Sequence, residues 1–155
     1  MQFDPTRSTS AGYWRLAAEY VIAAQSVNAR SERLLFPCMQ LHGQAIELAL
    51  KAFLLKRGTT LQDVESMRHR LTDILKAARS RRLGLEIKLH ANDLATIYLL
   101  DQNYSIHRFR YIVTGATRVP EMARLLYISE RIVAGLEKYC TGMRFGLSHI
   151  SPLRK

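Results

Sequence analysis

Residues 37–58 read PCMQLHGQAIELALKAFLLKRG, and the spacing of polar side chains in this stretch decides the fold. Gln40, Gln44, Glu47 and Lys51 recur at steps of four, three and four, which on a helix puts them in one narrow stripe. Leu41, Ala45, Leu48, Ala52 and Leu55 line one side of it, and Ile46, Leu50 and Phe53 the other. A helix apolar almost all round belongs at the centre of a bundle. Pro37 suits its first turn and Gly58 its end. His42 falls on the Ile46, Leu50, Phe53 side and is expected as a satisfied core or boundary histidine.

Helical periodicity dominates the rest of the chain. A first helix is expected over 9–30, with Trp14, Ala18, Val21 and Gln25 along one stripe. Thr60 can cap a short helical turn running to Met67. A further helix over 70–82 turns Leu71, Ile74, Leu75 and Ala78 inward and stops at Gly84. Another over 91–103 buries Leu94, Ile97 and Tyr98. Residues 104–118 show no helical stripe and read as a loop. Pro120 opens a last helix to about 139, with Met122, Leu125, Leu126, Ile132, Val133, Leu136 and Cys140 inward and Gly142 as its stop. The expectation is an all-α, up-and-down bundle of four long helices and one shorter one. It forms a single domain over 1–155, with a core over about 10–141 and a tail over 142–155.

The 155 residues suit one domain, and with 48% apolar and 23% charged residues the composition is that of an ordinary globular protein. No run of eighteen apolar residues implies a membrane span, and residues 1–10 lack the apolar core of a secretory signal. Cys38 and Cys140 have no partner spacing, so neither a disulfide framework nor a cysteine zinc site is expected; the location expected is cytoplasmic. The formal net charge is +10, and of 23 cations 17 are Arg, the side chain that suits bidentate contact with phosphate. Two stretches hold most of the excess. Residues 66–82 carry Arg68, Arg70, Lys76, Arg79, Arg81 and Arg82 against Asp73, and residues 104–118 carry Arg108, Arg110 and Arg118 against no acid. That balance suits an anionic partner, whether nucleic acid, a nucleotide or an acidic protein; the bland alternative is simple solubility.

Glu47-Leu48-Ala49-Leu50-Lys51-Ala52-Phe53-Leu54 before Gly58, then His69-Arg70-Leu71 with Ile74-Leu75, then Arg110-Tyr111 ahead of an Ala- and Leu-rich last helix, occur in an order that resembles HEPN domains. The resemblance spans about residues 14–140. It implies a helical bundle that often dimerises. Family members include ribonucleases of toxin, CRISPR and anti-phage systems, RNA- or nucleotide-binding modules, and partners of small nucleotidyltransferases. Catalytic members carry Arg, four to six residues, then His. Here only Arg144 and His149 meet that spacing, in the tail, where chance alone supplies such a match; Ile112 also replaces the Pro that commonly follows Arg-Tyr.

The residue types still bound the chemistry. Metal-independent RNA cleavage needs an Arg to stabilise the phosphorane and a His or Tyr to move the 2′-hydroxyl proton. His107, Arg110 and Tyr111 are the candidates. The same segment reads more simply as a binding patch: Arg108 and Arg110 for phosphate, His107 or Tyr111 for a base, and Phe109 either stacking outward or anchoring inward. Cations at a helix C-terminus suit its dipole without any ligand, and Arg79, Arg81 and Arg82 are added as phosphate contacts on the condition that this helix end lies beside Arg108 and Arg110. Glu47 and Lys51 are expected to face His69 and Arg110 in a shared polar cleft. The bland alternatives are a plain intrahelical pair between Glu47 and Lys51, and loop arginines tied to Glu47.

No Walker loop, dinucleotide fingerprint or His-Glu-x-x-His motif is present, so no cofactor or metal is expected. The expected function is a non-catalytic HEPN-like module binding RNA or a nucleotide, as part of a toxin–antitoxin or defence system. It would act as a homodimer or beside a separate nucleotidyltransferase-type chain. The rivals are a metal-independent endoribonuclease, a protein-interaction module, and a helix-turn-helix DNA binder built from 61–67 and 70–82.

Overall fold

A computed structural model describes residues 8–30, 34–111, 115–144 and 146. Among them the chain is all-helical: α1 (Ser10–Arg30), α2 (Leu35–Lys56), α3 (Leu61–Ser66), α4 (Leu71–Ser80), α5 (Ala91–Tyr104) and α6 (Met122–Thr141), with a 3-10 turn at Leu83–Leu85. No described helix is long and apolar enough to cross a membrane. His149 and most of the expected tail lie outside the described residues.

The central place of α2 is borne out: it packs against α1, α3, α4, α5 and α6. Its residues from Ala45 through Leu54 are all buried. Trp14, Ala18 and Val21 of α1 are buried with Ala17 and Ala24, and the Trp14 indole N–H donates to the Val133 carbonyl at 2.7 Å, tying α1 to α6. Leu71, Ile74, Leu75 and Ala78 form the buried face of α4.

Helix ends follow local chemistry. The Thr60 hydroxyl accepts the Asp63 amide at 3.1 Å, capping α3 as expected. Gly58 and Gly142 follow α2 and α6 with positive φ, +90° and +79°. Several boundaries differ from the sequence expectation by a residue or two, and three of them have a clear local cause. α2 begins at Leu35, ahead of Pro37, because a proline in the first turn sacrifices no intrahelical N–H bond. α4 stops at Ser80, since Arg82 adopts left-handed geometry at φ +65°. α6 starts at Met122, since Glu121 is extended and serves as its N-cap.

α4 borrows its cap. Arg70 at its N-cap supplies no side-chain bond. Instead Asp101 of α5 accepts the Leu71 and Thr72 amides, one on each carboxylate oxygen, both at 3.0 Å. This carboxylate clamps the end of α5 to the start of α4, and so brings the turns at 66–70 and 105–110 to one place in the bundle.

Candidate functional site

The polar stripe of α2 meets those two turns. Glu47 is 2% exposed and Lys51 6%, so both charges must be satisfied inside the protein. The Lys51 ammonium donates to Glu47 Oε1 at 2.6 Å and to the Arg68 carbonyl at 2.7 Å. His69 Nδ1 lies 2.9 Å from Glu47 Oε2. The Tyr104 hydroxyl lies 2.6 Å from the same Oε2 and 2.7 Å from the Gln44 side-chain oxygen. A phenol has one proton to give, and the carboxylate is the stronger acceptor. The Gln44 amide then completes the set by turning its NH2 toward the Tyr104 oxygen. One buried carboxylate thus receives Lys51, His69 and Tyr104. Burial first, then the charge and hydrogen bond of Glu47, hold the Tyr104 hydroxyl far above its ordinary pKa, against an opposing pull from Arg110.

Glu47 fixes His69 from behind. With Nδ1–H directed at a carboxylate, Nε2 is the free end of the ring, which is 35% exposed. His69 meets the ring of His107 edge-on, with centroids 5.1 Å apart and planes at 73°, and meets Tyr104 at 6.2 Å and 86°.

His107 owes its position to the end of α5. The Arg108 amide bonds to the Asn103 carbonyl at 2.9 Å and the His107 amide to the Tyr104 carbonyl at 3.0 Å. That pair of bonds is a Schellman motif, and its left-handed position, where glycine is easiest, is His107 at φ +59°. Arg68, on the opposite wall, also holds a positive φ of 49°. Non-glycine residues pay for such geometry in strain, and here two of them flank His69.

Glu47, Lys51 and His69, expected to share a polar cleft, do come together, Lys51 and His69 each contacting Glu47. Arg110 is exposed and acts on Tyr104 through its charge. Glu47 is not the partner of the loop arginines: among the described residues, Arg68, Arg108 and Arg110 form no ion pair. Phe109 points inward, 9% exposed and tilted on Phe36 at 5.6 Å, so it anchors the turn. Tyr111 is 69% exposed. Arg79, Arg81 and Arg82 are exposed but lie at the far end of α4, about 15 Å along a ten-residue helix from the cleft. Arg70 and Arg79 are nine residues apart, half a turn out of phase, so they do not build one recognition face.

Sequence reasoning missed Tyr104, which extends the Ile97, Leu100 stripe of α5 by one more step. It also missed a second polar cluster. Asp93, fully buried, takes Arg124 at 2.7 Å and Arg131 at 3.2 Å from α6. It also accepts the His90 amide at 2.8 Å as half of a capping box. Arg131 further donates to the Lys88 carbonyl. Both guanidiniums lie over the half-exposed Tyr127 ring, at 5.7 and 5.9 Å. This cluster joins α5 to α6. His42 is a core residue, fully buried, 2.7 Å from the Ser129 hydroxyl and pushed down to about 4 by burial, but it is not fully satisfied as expected: its Nε2 is buried with no hydrogen-bond partner among the described residues. No group of described residues has the makings of a metal site.

No family model, curated protein or solved structure matches the chain.

Proposed function

We propose that the protein is a non-catalytic module that binds RNA or a nucleotide at the mouth of the Glu47–His69 cleft. One observation carries the proposal: an oriented, partly exposed His69 paired with His107, near Arg108 and Arg110, which form no ion pair among the described residues. Those guanidiniums are available to phosphate, and Tyr111 offers a face to a base. The buried groups behind them are committed to one another. Lys51 and Tyr104 hold the Glu47 carboxylate, and Glu47 holds His69 in place. The sequence resemblance to HEPN domains supports the same reading, and with it a cytoplasmic role in a toxin–antitoxin or defence system. The partner state proposed is a homodimer or a complex with a nucleotidyltransferase-type chain, which sedimentation of the purified protein tests.

A second reading, a metal-independent ribonuclease, rests on the Nε2 edge that Glu47 turns outward on His69, next to His107. One experiment separates the two. Mixed-sequence RNA is incubated with the protein in EDTA, beside the His107→Ala, Arg110→Ala double variant. Intact RNA whose mobility shifts, at least tenfold more weakly with the double variant, is the expected result. Cleavage that the double variant loses makes the protein a ribonuclease. Neither cleavage nor a shift removes nucleic acid as the ligand.

A further inference from the structure

Within the RNA-or-nucleotide reading, we infer that the ligand is a single-stranded polynucleotide held at both ends of α4. The clustering of charge along this one helix carries the inference, which rests on the proposed binding at the cleft. At its start stand Arg68 and His69, which meets the ring of His107; Arg108 follows His107 in the same turn, and Arg110 is near enough for its charge to act on Tyr104. At its end stand Arg79, Arg81 and Arg82, all exposed and, among the described residues, in no ion pair. Leu71, Ile74, Leu75 and Ala78 turn the other side of the helix into the core, so Lys76 and Arg79 share the outward side. The acid on that side, Asp73, is engaged by Arg70 at 3.3 Å.

The separation chooses the ligand class. The two clusters are about 15 Å apart along the axis. A stacked strand advances about 3.4 Å per nucleotide, so four or five nucleotides bridge them and a mononucleotide does not. A single strand also leaves bases free to lie against Tyr111, whereas a duplex hides them. Helix-dipole relief accounts for one cation at the end of α4; it does not require three, one of them held in left-handed geometry at Arg82.

The test compares a ten-nucleotide RNA of mixed sequence with AMP and UMP, by titration at several salt concentrations. The proteins are the wild type, a triple variant (Arg79→Gln, Arg81→Gln, Arg82→Asn) and the His107→Ala, Arg110→Ala variant. Asparagine tolerates the backbone at 82, and circular dichroism checks that the triple variant stays helical. The decamer is expected to bind at least tenfold more tightly than either mononucleotide. The triple variant should lose about tenfold for the decamer, with a salt slope shallower by about 2, and nothing for the mononucleotides. A decamer bound no better than AMP, or a triple variant with wild-type affinity and slope, overturns the two-ended strand and leaves the cleft as a nucleotide site. Failure of the wild type to bind any of the three probes, or a double variant that binds them all as the wild type does, overturns the cleft reading and this inference together.

Discussion

The ring of Tyr104 lies directly on the backbone of Gly43. A methyl group at position 43 would sit 2.6 Å from the ring's Cε2, a separation that real side chains do not tolerate. The glycine in the middle of α2 therefore serves as the floor on which Tyr104 reaches Glu47. Gly43→Ala is expected to destabilise the protein by about 2 kcal/mol through overpacking and to weaken RNA binding by displacing the cleft. Urea midpoints and a binding titration check both effects. An unchanged midpoint would mean that the ring slides aside at little cost.

His107→Gly separates strain from function. Left-handed geometry costs a non-glycine residue about 1 kcal/mol or more. Glycine at that position is expected to hold stability level or raise it by about 1 kcal/mol, while binding at the cleft falls. A variant that melts earlier than the wild type contradicts the account of this turn.

Asp93 predicts the opposite pattern. Asp93→Asn removes a fully buried carboxylate and strands Arg124 and Arg131. A loss of about 3 kcal/mol is expected. RNA affinity, measured below the variant's melting temperature, should stay within twofold, because this cluster joins α5 to α6 and touches neither proposed contact.

His42 sets an acid limit. Its pKa falls from an ordinary 6.5 to about 4 on burial, so between these values the unfolded chain binds the extra proton and the native one does not. Stability contributed by neutral His42 is complete above pH 6.5 and declines as pH drops toward 4, by up to about 3 kcal/mol. Denaturation midpoints at pH 7 and pH 4.5 measure the slope, which His42→Gln should flatten. An unchanged slope assigns the acid sensitivity to other groups.

The bundle and half of the cleft were legible because they are written in local periodicity. Four polar residues at steps of four and three single out the one face of α2 that is not apolar, and a buried charge pair has to meet partners. His69 was found as such a partner. Tyr104 was not, because the end of α5 and the role of Gly43 depend on a close approach between two helices that no spacing encodes. Asp93 and its arginines are 31 and 38 residues apart and are joined by docking alone. The inward turn of Phe109, in an aromatic-and-basic run that read equally well either way, depended on where Phe36 would come to lie.

The borrowed cap at Asp101 bears on how the chain folds. Ten residues are too few for α4 to persist by itself in water, and two of its first amides find their acceptor only when α5 has arrived. The two segments therefore gain order in a single cooperative event. The histidine pair between them exists only in molecules where that event has occurred. Exchange of the Leu71 and Thr72 amides with deuterated solvent thus becomes a clock for the joint between α4 and α5: while those two protons are held, the Asp101 clamp is closed.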